Sequence, residues 1–132
     1  VGAGQLAKLA NQAIVGITIA AVAEAMLMLQ NGGADPAAVR AALKGGFADS
    51  TILQLHGARM TTRDFTPGGL CTLQLKDLNN AVSEAESFGL ILPTLINTRD
   101  RFQRLVTELD GAKLDHSALY LELCDQNGLD NV

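Results

Sequence analysis

The chain has 132 residues, 48% hydrophobic and 4% aromatic, and a formal net charge of −4. That length suits one domain with a substantial core, and that hydrophobic content excludes a disordered chain. Its Lys and Arg residues are scattered, so the basic stripe that nucleic acid needs is missing.

With no Trp and few rings, the core must be built mainly from Ala, Leu, Ile and Val. Such packing suits closely spaced helices better than sheets. The first predicted element is a long helix from Gly4 to about Gln30, roughly 40 Å at ~1.5 Å per residue. Its centre, Ala13 to Ala23, carries no charge. It is nevertheless shorter than the ~20 apolar residues of a membrane span, and Asn11, Gln12 and Glu24 bracket it. A helix apolar on nearly all sides is expected at the centre of a bundle or against another subunit.

Gly32-Gly33 ends that helix. Asp35-Pro36 caps and opens a second, to about Lys44, which Gly45-Gly46 breaks. Asp49 or Ser50 caps a third helix to about Ala58. The stretch from Met60 to Leu70 is the expected long loop, with turn chemistry at Thr66-Pro67-Gly68-Gly69. A fourth helix runs from about Leu73 to Phe88 and stops at Gly89. The fifth opens at Pro93 and reaches about Leu109, with Arg99, Arg101 and Arg104 on its wetter faces. Asp115 or Ser117 caps the last, to about Gln126. No window alternates as a strand would. The reading is all-α, a single helical domain of about six helices spanning 1–132.

Gly2-Ala3-Gly4-Gln5-Leu6-Ala7 matches the G-x-G-x-x-G/A dinucleotide string, with Glu24 about twenty residues beyond. That fingerprint needs a preceding strand and an acid after a second strand, whereas Glu24 lies inside one helix. The glycines fit better at the mouth of a helix, where free N–H groups admit a carboxylate or phosphate.

Lys8, Asn11 and Gln12 sit at i, i+3 and i+4 and therefore share a face. They fit either a solvated entry turn or a proton donor flanked by amides that orient a carbonyl. Lys76-Asp77, taken alone, fits an exposed ion pair. His56 and His116 have no second ligand at helical spacing and read as structural or surface residues, so no metal is expected. Cys71 and Cys124, far apart and apolar-flanked, read as buried or half-buried thiols of a reducing cytoplasm. Met26 and Met28 read as core or interface fillers.

Several spaced segments resemble the C-terminal half of β-hydroxyacid dehydrogenases, a family that includes 3-hydroxyisobutyrate dehydrogenases and tartronate semialdehyde reductases. They are GAGQLAKLANQ, GADPAAVRAALKGGFADSTIL, MTTRDFTPGG, LKDLNNA, LPTL and DHSAL, in that order. The resemblance implies a helical domain like that of 6-phosphogluconate dehydrogenase, preceded in a longer protein by a dinucleotide-binding domain. It implies Lys8 as the catalytic general acid/base and Asn11 or Gln12 as substrate-binding, with the choice between the amides open. It further implies that Lys76 contacts NAD or NADP and that Asp77 supports the active site. The reaction implied is reversible hydride transfer to a short carboxylated aldehyde such as tartronate semialdehyde, in a cytoplasmic homodimer or higher oligomer. The alternative is a helical dimerisation module without activity of its own. Phe47-Ala48-Asp49-Ser50 departs from the family pattern, which has a small residue after Gly-Gly and a Gly before Ser.

Overall fold

The computed structural model describes residues 2–129. They form six α-helices: α1 (Ala3–Asn31), α2 (Pro36–Leu43), α3 (Thr51–Thr62), α4 (Cys71–Ser87), α5 (Pro93–Glu108) and α6 (Leu119–Gln126). A 3-10 turn at His116–Ala118 leads into α6. Among the described residues there is no strand, only one isolated bridge between Leu70 and Asp115.

The boundaries follow local chemistry. Asp35 accepts a hydrogen bond from the Ala37 N–H at 3.0 Å, and Pro36 occupies the first helical position of α2. Ser50, rather than Asp49, caps α3 by accepting from the Leu53 N–H at 2.9 Å. Helix α3 runs past Ala58 to Thr62, because nothing interrupts it until Arg63 turns left-handed at φ 58°. The loop expected from Met60 onward is correspondingly shorter. Asp115 accepts from the Ser117 N–H and so caps the 3-10 turn, not α6 directly.

Helix α1 touches each of the other five helices and is the axis of the bundle. By length and composition it could cross a membrane, yet Ile19, Ala23 and Met26 are buried in the same core as Met60, Leu78, Phe102 and Leu119. The apolar run is thus accounted for by neighbours on several sides. Met26 is core, whereas Met28 is exposed.

Arg101 is not on a wet face but only 8% exposed, and Glu122 beside it is 1% exposed. Arg101 Nε donates to Glu122 Oε1 at 2.9 Å, and Arg104 Nη1 donates to Glu122 Oε2 at 3.1 Å. A second carboxylate, Glu24 of α1, lies 3.4 Å from Arg101 Nη1. A guanidinium can be buried when carboxylates meet its fork, and the sequence spacing alone did not reveal these partners.

Removing Glu122 would leave a buried cation facing only the exposed Glu24. Glu122→Ala should therefore lower the unfolding free energy by about 3–5 kcal/mol, read from urea denaturation. A loss below about 1 kcal/mol, the range of a surface pair, would contradict this account.

Candidate active site

Helices α1 and α4 pack directly on each other. Their contact brings Lys8 of α1 and Asp77 of α4 to one cleft of about 310 Å³. Gln5, Asn80, Ser83 and Glu84 line the same cleft. That volume is at the small end for ligand sites, which suits a substrate of few atoms. Asp77, Asn80 and Glu84 stand at i, i+3 and i+7, and Gln5 precedes Lys8 by three, so each helix offers one polar face.

The start of α1 favours negative charge. The Leu6 N–H is bonded to the Gly2 carbonyl at 3.0 Å, leaving the N–H groups before it without a helical acceptor. No acid lies in the first turn, and Gly2 supplies no side-chain cap. A Cβ at Gly2 or Gly4 would meet nothing within 4 Å, so approach to this backbone is open. Here the glycine string is a helix mouth, as expected: Gly2 is the N-cap, and Glu24 sits within α1 paired to Arg101.

The other expected site residues lie apart from the Lys8–Asp77 cleft. Asn11 is exposed and Gln12 half-buried on α1, and neither lines it. Lys76 is exposed on α4 and is also outside its lining. Lys8 itself is exposed, so these residues alone do not desolvate it. Gln5, Asn80, Ser83 and Glu84 were not singled out from the sequence. Their signal was the polar periodicity of LKDLNNAVSE, which carries one wet face two turns beyond Asp77.

A second polar cluster lies where α3, α4 and the 3-10 turn meet. His56 and His116, 60 residues apart, face each other with Nε2 atoms 2.9 Å apart. His116 Nδ1 lies 3.0 Å from Gln74 Oε1. Gln74 Nε2 in turn donates to the Gln12 carbonyl at 3.2 Å. Burial lowers the pKa of both imidazoles, and for His56 the neighbouring His116 adds to this while Asp115 opposes it. Both rings are therefore held neutral.

Asp115 is 1% exposed and saturated with donors. Its Oδ1 accepts from the Gly68 and Gly69 N–H groups, each at 3.0 Å. Its Oδ2 accepts from the Ser117 N–H and hydroxyl. Burial would raise this carboxyl, but the bonds from Ser117, Gly69 and Gly68 outweigh it and hold the group well below the usual carboxylate range. His56, Asp115 and His116 bring potential metal-ligating atoms within 4.8 Å. Two nitrogens sharing a tetrahedral zinc stand about 3.3 Å apart; the 2.9 Å separation here is that of a hydrogen bond. Both thiols are buried and free, and burial pushes Cys71 up to about 12.

The Rossmann dinucleotide fingerprint is a strand, a glycine loop and a helix in succession. That succession does not occur among the described residues.

The family model described as NAD-binding of NADP-dependent 3-hydroxyisobutyrate dehydrogenase matches residues 2–123. The chain is 48% identical over 118 residues to 2-hydroxy-3-oxopropionate reductase of Escherichia coli, which covers 89% of this chain and 40% of that protein. It is 34% identical to probable 3-hydroxyisobutyrate dehydrogenase-like 1, mitochondrial, of Arabidopsis thaliana, over 92% of the chain and 36% of that protein. The fold superposes on a 3-hydroxyisobutyrate dehydrogenase of Salmonella typhimurium with a TM-score of 0.84 and 24% identity, covering 91% of this chain and 42% of that one. A Mycobacterium tuberculosis 3-hydroxyisobutyrate dehydrogenase with L-serine gives a TM-score of 0.81 at 25% identity, over 93% and 44% of the respective chains. The chain thus spans about two fifths of the length of the curated relatives it matches. On the match to residues 2–123 and the helical fold it shares with these enzymes, the chain belongs to the 3-hydroxyisobutyrate dehydrogenase family of β-hydroxyacid dehydrogenases.

Proposed function

We propose that this chain is the C-terminal substrate-binding and oligomerisation domain of an NAD(P)-dependent β-hydroxyacid dehydrogenase, with Lys8 as its general acid/base. The observation that carries the reading is the meeting of Lys8 and Asp77, distant in sequence, in one cleft. The cleft's small size and the uncapped mouth of α1 suit a short carboxylate. Two relatives bear on the substrate: the E. coli protein is named for 2-hydroxy-3-oxopropionate, and the mycobacterial structure holds L-serine, another three-carbon hydroxy acid. We assign a short carboxylated aldehyde of the tartronate semialdehyde type, in the cytoplasm, where free buried Cys71 and Cys124 stay reduced.

In reduction the substrate carboxylate lies toward the free N–H groups of α1. The Lys8 ammonium donates a proton to the carbonyl oxygen as charge develops there, and the neutral amine takes it back in oxidation. The Asp77 carboxylate, lining the same cleft, supplies a counter-charge for the ammonium. Asn11 or Gln12, further along the same face of α1, holds the substrate's hydroxyl or carbonyl, and Lys76 approaches the dinucleotide. NAD or NADP, when bound, supplies or accepts the hydride. A dinucleotide-binding domain elsewhere in the full-length enzyme would hold that cofactor and cover Lys8.

A second, compatible reading is that α1 and α2 form a homodimer surface. Ile14 and Met28 of α1 are 66% and 70% exposed, and Phe47 is fully exposed at the turn after α2. Between α1, α2 and the start of α3 lies an apolar groove lined by Ala21, Ala25, Leu29, Val39 and Leu43. Contiguous apolar surface of this kind marks an interaction face.

In the full-length enzyme, Lys8→Ala should lower kcat by about 10²–10⁴-fold with nucleotide binding unchanged. Near-normal turnover with tartronate semialdehyde in a nucleotide absorbance assay would sink the assignment. Asn11→Ala and Gln12→Ala separate the two amides. The one that holds substrate should raise KM about three- to tenfold, the cost of one hydrogen bond, and the other should not. Light scattering of the 13.9 kDa chain should give about twice that mass, and Met28→Glu should return it to monomer; a wild-type monomer would refute the dimer surface.

A further inference from the structure

Gln74 is 3% exposed, lies one turn before Asp77 on α4 and packs beside Gly16 of α1. A Cβ placed on Gly16 would stand 3.1 Å from Leu78 Cδ2 and 3.2 Å from Gln74 Nε2, so only a glycine leaves this crossing its full closeness. Gln74 spans the crossing with the 3.2 Å bond to the Gln12 carbonyl, one turn beyond Lys8.

With both rings neutral, the partners assign each proton in the cluster. A carbonyl oxygen accepts only, so the Gln74 group facing Gln12 is its NH₂, and Oε1 faces His116. His116 Nδ1 therefore carries the hydrogen that Oε1 accepts, at 3.0 Å. Its Nε2 is then bare and accepts from His56 Nε2–H at 2.9 Å. His56 Nδ1 is left as a buried acceptor without a hydrogen-bond partner, 3.9 Å from Asp115 Oδ2. The His116 ring is held on its other side by Gly69, where a Cβ would come within 3.2 Å of Cε1. The amide of Gln74 thus has one orientation, set by a directed chain that starts on α3 and ends on α1.

We propose that Gln74 is a positioning residue: oriented by the His116–His56 pair, it holds α1 and α4 at the crossing that sets Lys8 against Asp77. The inference rests on the reading of that cleft as the active site. None of the three side chains lines the cleft, so their effect on the reaction would pass through geometry.

The test is steady-state kinetics and melting of the full-length enzyme. Gln74→Leu keeps the bulk and removes both hydrogen bonds. It should cost about ten- to a hundredfold in kcat, the scale of a sub-ångström to 1 Å misplacement, with nucleotide KM within about twofold of wild type. His116→Asn keeps an N–H where Nδ1 stood and should retain kcat within about threefold. His116→Gln puts its amide at the Nε2 end and should fall as Gln74→Leu does, although both His116 variants lose similar thermal stability. A purely structural cluster would rank all variants by melting temperature alone. Wild-type kcat in Gln74→Leu, or equal kcat in the two His116 variants, would overturn the proposal. Lys8→Ala, run in parallel, separates the two levels. If it is inactive while Gln74→Leu is normal, only the positioning role fails. If it turns over normally, the reading of the cleft fails and the positioning role with it.

Discussion

Where α1 crosses α4, a hydrogen atom stands in place of a side chain. Gly16 lets Leu78 and Gln74 come within ordinary contact of the α1 backbone, and an alanine methyl there would press on both. Interiors are packed near crystal density, so a contact of this kind sets a separation that cannot drift far. The cleft between Lys8 and Asp77 is downstream of that single dimension. Two turns of α1 and one turn of α4 carry the side chains from the crossing to the cleft, and helices transmit position with little loss.

The remainder of the bundle stabilises this arrangement by unequal means. Ile19, Ala23, Met26, Phe102 and Leu119 supply a conventional apolar core around α1. The ends are held by buried polar groups. Asp115 gathers the 68–69 turn and the 3-10 turn through four donors, and Glu122 gathers two arginines of α5. Each group is satisfied almost fully, which is the condition under which buried polarity fixes one arrangement without large cost.

Much of this was legible in the sequence. Asp35-Pro36, Ser50, Pro93 and the paired glycines are local signals with local meaning, and the helices start and stop within a few residues of them. The uncharged middle of α1 announced a central helix. Lys8 and Asp77 were legible only because motifs in a fixed order pointed to a family; nothing in their spacing brings them together. The histidine pair, the burial of Arg101 and the role of Gln74 were not legible at all. They depend on side chains from different helices meeting after the chain has folded, and no periodicity records such a meeting. The loop after α3 is shorter than the sequence suggests because the helix runs on through Thr61 and Thr62, poor helix formers by propensity whose hydroxyls bond back to the carbonyls of Gly57 and Ala58.

Helix α1 is one uninterrupted rod, and the crossing at Gly16 divides it into unequal arms. Lys8 rides on the shorter arm, about 12 Å from that fulcrum, and Met28 on the longer, about 18 Å away, at ~1.5 Å per residue. A tilt of only about 5° therefore swings Lys8 by roughly 1 Å, enough to alter a rate, while the far end moves half as much again. The two ends of the rod are mechanically one object. Whatever seats against Met28 leans on the same lever that aims the lysine.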